Sequence, residues 1–186
     1  MARIKVIQPQ EAEGKLADIY SDLESSRGKI AEVHKIQSLR PESIVKHMDL
    51  YLEIMYTKSK LSRAKRELIA VVVSVANACT YCKTHHAAAL NHYWKNDERI
   101  AQLLISFENV GLSDEELALC RFAQHLTLNP GHHENTDHTA ALKKVGLPDE
   151  AILDTTLVVA YFNFVNRIVL SLGVQLENHA GTGFDY

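Results

Sequence analysis

Glu67-Leu68-Ile69-Ala70-Val71-Val72-Val73-Ser74-Val75-Ala76-Asn77-Ala78-Cys79-Thr80-Tyr81-Cys82-Lys83-Thr84-His85-His86 holds two helical patterns divided by one helix-ending residue. Ser62 is a good N-cap, so the first helix is expected from Arg63 to about Ala76. Its apolar side is wide enough for a central, nearly buried helix. Asn tolerates the left-handed conformation, so Asn77 is expected to end that helix and let another run from near Cys79 to about Tyr93. Helical residues three and four apart share a face, so Cys79, Cys82 and His86 point into one small site.

The same spacing extends in both directions. Pro9 suits the first turn of a helix to about Glu24, ended by Arg27-Gly28-Lys29. Residues 28–40 read as an ordered connector with Ile30, Val33, Ile36 and Leu39 as packing points. Pro41 opens a helix to about Lys58 that carries Ile44, Val45, Met48, Leu52 and Met55. Further helices are expected over 97–108, over 114–127 behind the Ser113-Asp114-Glu115-Glu116 capping box, and over 136–145. The last runs over 149–172, with Pro148 in its first turn and Gly173 at its end. The tail from Asn178 to Tyr186 reads as irregular or docked on a partner. Alternating strand patterns are few, so the fold class is all-α: one helical-bundle domain over 1–186 with about seven to eight helices. Its redox core covers about 45–130, and its C-terminal helix about 149–172.

At 186 residues the chain is long enough to bury a core without metal or disulfide staples. A net charge of −3, with scattered Lys and Arg, gives no electrostatic argument for nucleic acid or an anionic membrane. Arg63-Ala64-Lys65-Arg66 reads as the solvated start of a helix. The run Leu68–Val73 is too short to span a bilayer. Three cysteines do not make a secreted framework, and Met1-Ala2-Arg3-Ile4-Lys5 lacks an apolar signal region. The expected location is the cytoplasm.

Two thiols beside an imidazole suit reversible disulfide chemistry, because the thiolate is the reactive species. At the start of a helix, the Cys79 sulfur sits near unsatisfied N–H groups and the positive dipole end, which lower a thiol pKa. Cys82 lies one turn further in, and His86 can take a proton from a thiol directly or through a water. Glu67 is the candidate carboxylate behind the histidine. If the chain reverses near Asn77, Glu67 and His86 face each other across an antiparallel helix pair. Glu67 also reads as a solvated first-turn acid. The cysteines themselves admit two other readings, half-buried packing or two ligands of a zinc site completed from His85, His86 and His92.

Glu67, eleven residues, Cys79-x-x-Cys82, three residues, His86 resembles the core motif of the alkylhydroperoxidase D-like family, within the carboxymuconolactone decarboxylase superfamily. Leu61–Ala70 resembles the helix preceding that family's cysteines. Asn163-Phe164-Val165-Asn166-Arg167-Ile168 with Leu172-Gly173-Val174 resembles the C-terminal helix of its peroxidase-related branch. The resemblance implies an all-α homo-oligomer, a trimer or hexamer, with no cofactor and no metal. It implies a hydroperoxide substrate and a dithiol reductant or reducing partner protein. Cys82 would attack the peroxide, Cys79 would be the more exposed resolving thiol, and Glu67 and His86 would form the proton relay. The best-studied branch has a histidine between the cysteines where this chain has Tyr81. A phenol, with a pKa of about 10, is a poor base near neutral pH, so proton transfer rests on His86 and Glu67. A redox-sensing or structural oligomer, or a metal-binding module, is the alternative reading.

Elsewhere, His85 lies about 100° around the helix from His86 and reads as a surface or interface residue. Cys120, between Leu119 and Phe122, reads as core packing. His125, His132, His133 and His138 gather around a Pro-Gly turn without cysteines nearby, which reads as a solvated loop ahead of a metal site. Tyr161, Phe162 and Phe164 read as core or subunit-interface aromatics, and Asn166 and Arg167 as pocket-lining or helix-capping groups.

Overall fold

The computed structural model describes residues 2–177, and the expected irregular tail from Asn178 onward lies outside them. Among the described residues there are nine α-helices, joined by turns and three short 3-10 segments, and no strand. They are α1 (Lys15–Arg27), α2 (Glu32–Lys35), α3 (Pro41–Tyr56), α4 (Arg63–Ala76), α5 (Thr80–Trp94), α6 (Asp97–Ile105), α7 (Asp114–Leu128), α8 (Thr139–Lys144) and α9 (Asp149–Leu172).

The axis of the bundle is α4. Every residue from Arg66 to Ser74 on it is buried, and it packs against α5, α7 and α9. Truncating a fully enclosed side chain such as Leu68 or Ile69 to Ala there costs about 2–5 kcal/mol, because lost transfer energy and a residual cavity add. Its start is fixed as expected, with the Ser62 hydroxyl accepting the Lys65 N–H. The basic start is not solvated, however. Arg66 is enclosed and donates to the carbonyls of Ile54, Thr57 and Leu61, satisfying carbonyl groups at the end of α3.

Between α4 and α5 the left-handed residue is Ala78, with φ of 54°, while Asn77 stays right-handed. The Ala78 N–H bonds the Val75 carbonyl and the Cys79 N–H bonds the Ser74 carbonyl, the paired bonds of a Schellman ending. Asn77 is used through its side chain instead, donating to Asn163 and Asn166 of α9 at 3.0 and 3.1 Å.

The N-terminal expectation of one helix from Pro9 fails. Pro9–Glu11 is a 3-10 turn, and Gly14, at φ 52°, separates it from α1. The buried face of α1 (Leu16, Ile19, Tyr20, Leu23) meets Ile44 and Met48 of α3 in a second, smaller cluster. Two expected packing residues, Leu39 and Leu52, are exposed, since that cluster is closed without them. The helix expected over 97–108 stops at Ile105, and the one expected over 136–145 forms only from Thr139. The Ser113–Glu116 capping box and the bounds of α9 match expectation, although Pro148 caps α9 from outside rather than starting it. By length and composition α9 is apolar enough to cross a membrane, and ten of its residues are buried in the bundle.

Candidate active site

The α4–α5 hairpin brings together the four residues the sequence singled out. Glu67 is completely enclosed, with both carboxylate oxygens engaged. Arg63 donates to Oε1 from Nη2 at 2.7 Å and from Nε at 3.0 Å, and His86 Nδ1 lies 2.7 Å from Oε2. Burial alone would raise the carboxyl pKa, but His86 and Arg63 together hold it below its ordinary value. The solvated reading of Glu67 is thereby excluded. Arg63 is itself fixed by the Met55 carbonyl at 2.8 Å and by the face of Tyr56 at 3.6 Å.

An ionised carboxylate only accepts hydrogen bonds, so His86 carries its proton on Nδ1. Its other ring nitrogen, Nε2, is not engaged by Glu67. The ring is braced edge-on by Phe162, with centroids 4.4 Å apart.

Cys79 is the N-cap residue of α5 and Cys82 lies in its first turn, with the two sulfurs 2.9 Å apart as free thiols. Of the two, Cys79 is not the more exposed. It is wholly enclosed, whereas Cys82 lines a cavity of about 100 Å³ and is 2 % exposed. The helix start tucks the Cys79 side chain beneath the hairpin and turns Cys82 toward α3 and α9. Hydrogen bonding from Cys82 pulls the Cys79 pKa down against burial, helped by Lys83. The Cys82 pKa is pushed up by its hydrogen bond with Cys79 and by burial, opposed by a hydrogen bond from Asn166. The pair thus makes Cys79, at the helix N-terminus, the more acidic of the two thiols.

The cavity wall carries groups that spacing alone does not find. His34 and His47 face each other with centroids 5.4 Å apart, and burial lowers their pKa values to about 3 and about 4. Both are therefore neutral near pH 7. Gln37 donates to His47 Nδ1 at 2.8 Å, while His34 Nδ1 is buried without a partner. Tyr51, Tyr81, Tyr161 and Phe162 complete a largely aromatic lining.

His85 is not a surface residue. Its Nε2 lies 2.8 Å from Glu177 Oε2, and Tyr81 donates its hydroxyl to Glu177 Oε1 at 2.8 Å. The Glu32 backbone N–H also donates to Oε1, so Glu177 ties the segment after α9 to α2 and α5. These bonds, led by that of His85, outweigh burial and hold the Glu177 carboxyl at about 2. Asn166 is fully buried and does not line the cavity; it accepts from Asn77 at the end of α4 and hydrogen-bonds Cys82 from behind. Arg167 instead folds back onto the Asn163 carbonyl of its own helix. Cys120 is enclosed in the core, and burial raises its pKa.

The chain is thus an all-α bundle whose central helical hairpin holds two thiols and a His–Glu contact. Residues 44–125 match the carboxymuconolactone decarboxylase family. Uncharacterized protein YdfG of Bacillus subtilis (strain 168) is 29% identical over 143 residues, covering 73% of this chain and 90% of that protein. An uncharacterized peroxidase-related protein from Ralstonia eutropha JMP134, solved as an alkylhydroperoxidase AhpD core, superposes with a TM-score of 0.85 at 22% identity. That match covers 97% of this chain and 94% of the other. A cysteine variant of the debrominase Bmp8, in complex with 2,3,4-tribromopyrrole, superposes at 0.77 with 20% identity, covering 96% and 95%. The likeness to the carboxymuconolactone decarboxylase family thus covers residues 44–125, and the alkylhydroperoxidase AhpD core shares the fold.

Proposed function

We propose that this chain is a thiol oxidoreductase that reduces hydroperoxides through a Cys79/Cys82 cycle. The observation that carries the reading is the Glu67–His86 contact of 2.7 Å beside two buried thiols, one of which lines the cavity. Cys82 is the attacking sulfur, because Cys79 has no surface open to a substrate. Its proton passes to His86 Nε2, and the thiolate takes the distal OH as the O–O bond breaks. The alkoxide leaves with a proton from His86, whose positive charge Glu67 supports. Cys79 then attacks the Cys82 sulfenic acid, the S–S bond forms and water departs. A dithiol returns two electrons and two protons to restore the thiols. Since Cys79 is enclosed, the reductant enters from the Cys82 side.

The test is peroxide consumption with a dithiol reductant by the Cys82→Ser protein. Loss of turnover supports the reading, and unchanged turnover removes Cys82 as the nucleophile.

The aromatic wall favours a second substrate class for the same dithiol, a halogenated heteroaromatic ring. Two thiols would supply two electrons, replacing carbon–bromine by carbon–hydrogen and releasing bromide as the disulfide forms. Bromide release from a bromopyrrole, measured beside peroxide consumption, separates the two. The proposed setting is cytoplasmic. We also propose self-assembly through the exposed stripe Leu153, Leu157 and Phe164 of α9, checked by the mass of the protein in solution.

A further inference from the structure

The four histidines expected to form a solvated loop are brought together. His125 lies near the end of α7, His132 and His133 on the 3-10 turn Pro130–Glu134, and His138 caps α8. Asn129 and Pro130 fold the chain back, so one ligand atom from each of His125, His132 and His138 falls within 4.8 Å of the others. His133 Nε2 is 3.0 Å from His125 Nδ1, and the rings of His125 and His133 lie 4.1 and 4.3 Å from that of His138. Independently, His138 Nε2 is buried with no hydrogen-bond partner. None of the four lines the cavity of Cys82.

We infer that His125, His132 and His138 form a binding site for a borderline divalent transition ion such as Zn²⁺, with His133 orienting His125. A tetrahedral ion with nitrogen ligands at about 2.0–2.1 Å needs its ligands about 3.3 Å apart. Rotation of the exposed His132 and the two half-buried rings closes the remaining gap. Imidazole suits zinc, nickel and copper and not magnesium, which prefers oxygen. A metal here would give the orphaned His138 nitrogen its partner and pin the 129–138 turn and the start of α8 to α7.

The test is calorimetric titration of ZnCl₂ into chelator-treated Cys79→Ser/Cys82→Ser protein, which removes the competing thiols. The expected result is one ion per chain, with Mg²⁺ giving no heat. Zinc at one hundred times its dissociation constant should raise the Tm by about 5–10 °C. Affinity should fall at least tenfold in His125→Gln, and also in His132→Ala, whose exposed side chain leaves the fold intact. Zinc-edge X-ray absorption should show nitrogen and oxygen ligands at about 2.0–2.1 Å. Absent stoichiometric binding, an unmoved Tm, or an affinity that both substitutions leave unchanged overturns the site.

Discussion

Two adjacent histidines on α5 each meet a carboxylate at almost the same distance, yet the supports behind the two pairs differ. Glu67 stands on the central helix, has no exposed surface and is clamped from its other side by Arg63. Glu177 stands on irregular chain after α9, with about a fifth of its side chain exposed, and gathers His85, Tyr81 and the start of α2. The first arrangement holds one imidazole in the wall of the cavity that Cys82 also lines. The second holds three segments around the cavity. A histidine–carboxylate contact thus fits the proposed proton relay or a tether according to what fixes the acid.

The contrast is broken most strongly at Glu67. Glu67→Gln should lower peroxide turnover about 10²–10⁴-fold, since the relay loses its charge partner. Glu67→Ala should also cost about 3–5 kcal/mol, read by denaturant unfolding, because Arg63 is left as a buried unpaired charge. His86→Gln should reduce turnover on the same scale with a smaller loss of stability. If it matches wild type in a stopped-flow peroxide assay, the relay is wrong.

On the other side, Glu177→Gln should cost about 1–3 kcal/mol, loosening the tether. Turnover should change through KM more than through kcat, and an equal loss of kcat would erase the distinction drawn here.

The acids and the buried histidines also separate by pH. Glu177 titrates at about 2 in the folded chain against 4.5 unperturbed, so its contribution is full above about pH 4.5 and lost as pH falls toward 2. His34 and His47 also have depressed values, about 3 and about 4 against 6.5. The unfolded chain therefore binds the protons first, and stability declines as pH falls from about 6.5 toward 4. The slope should approach about 1.4 kcal/mol per pH unit for each histidine. Urea unfolding across that window should flatten in His47→Gln, and an unchanged slope would mean that His47 is not held neutral. The smallest effect is expected at Ala78→Gly, which relieves the left-handed alanine and should raise stability by less than about 1 kcal/mol in the same assay.

What could be read from the chain follows interaction range. Ser62 and Arg63–Ala76, the Ser113–Glu116 box, and Asp149–Leu172 with Gly173 depend on groups within a turn of each other, and all were legible. Glu67 opposite His86 was legible too, because one short turn joins their helices. The Arg66 seal on α3, the His85–Glu177 contact across 92 residues, and the His34–His47 pair left no local mark. They exist because three helices converge there. Asn77 ends α4 as expected, but its amide gains two hydrogen bonds to α9 and the left-handed turn falls at Ala78.

By itself, then, the sequence determined the all-α class, most helix ends and the four residues of the thiol site, through periodicity, capping and spacing. Only tertiary structure decided which sulfur meets the cavity, which carboxylate is locked, and that four histidines of one loop share a small volume. Those outcomes depend on where distant helices dock. Burial and electrostatic partners are properties of the packed whole, so no local pattern carries them.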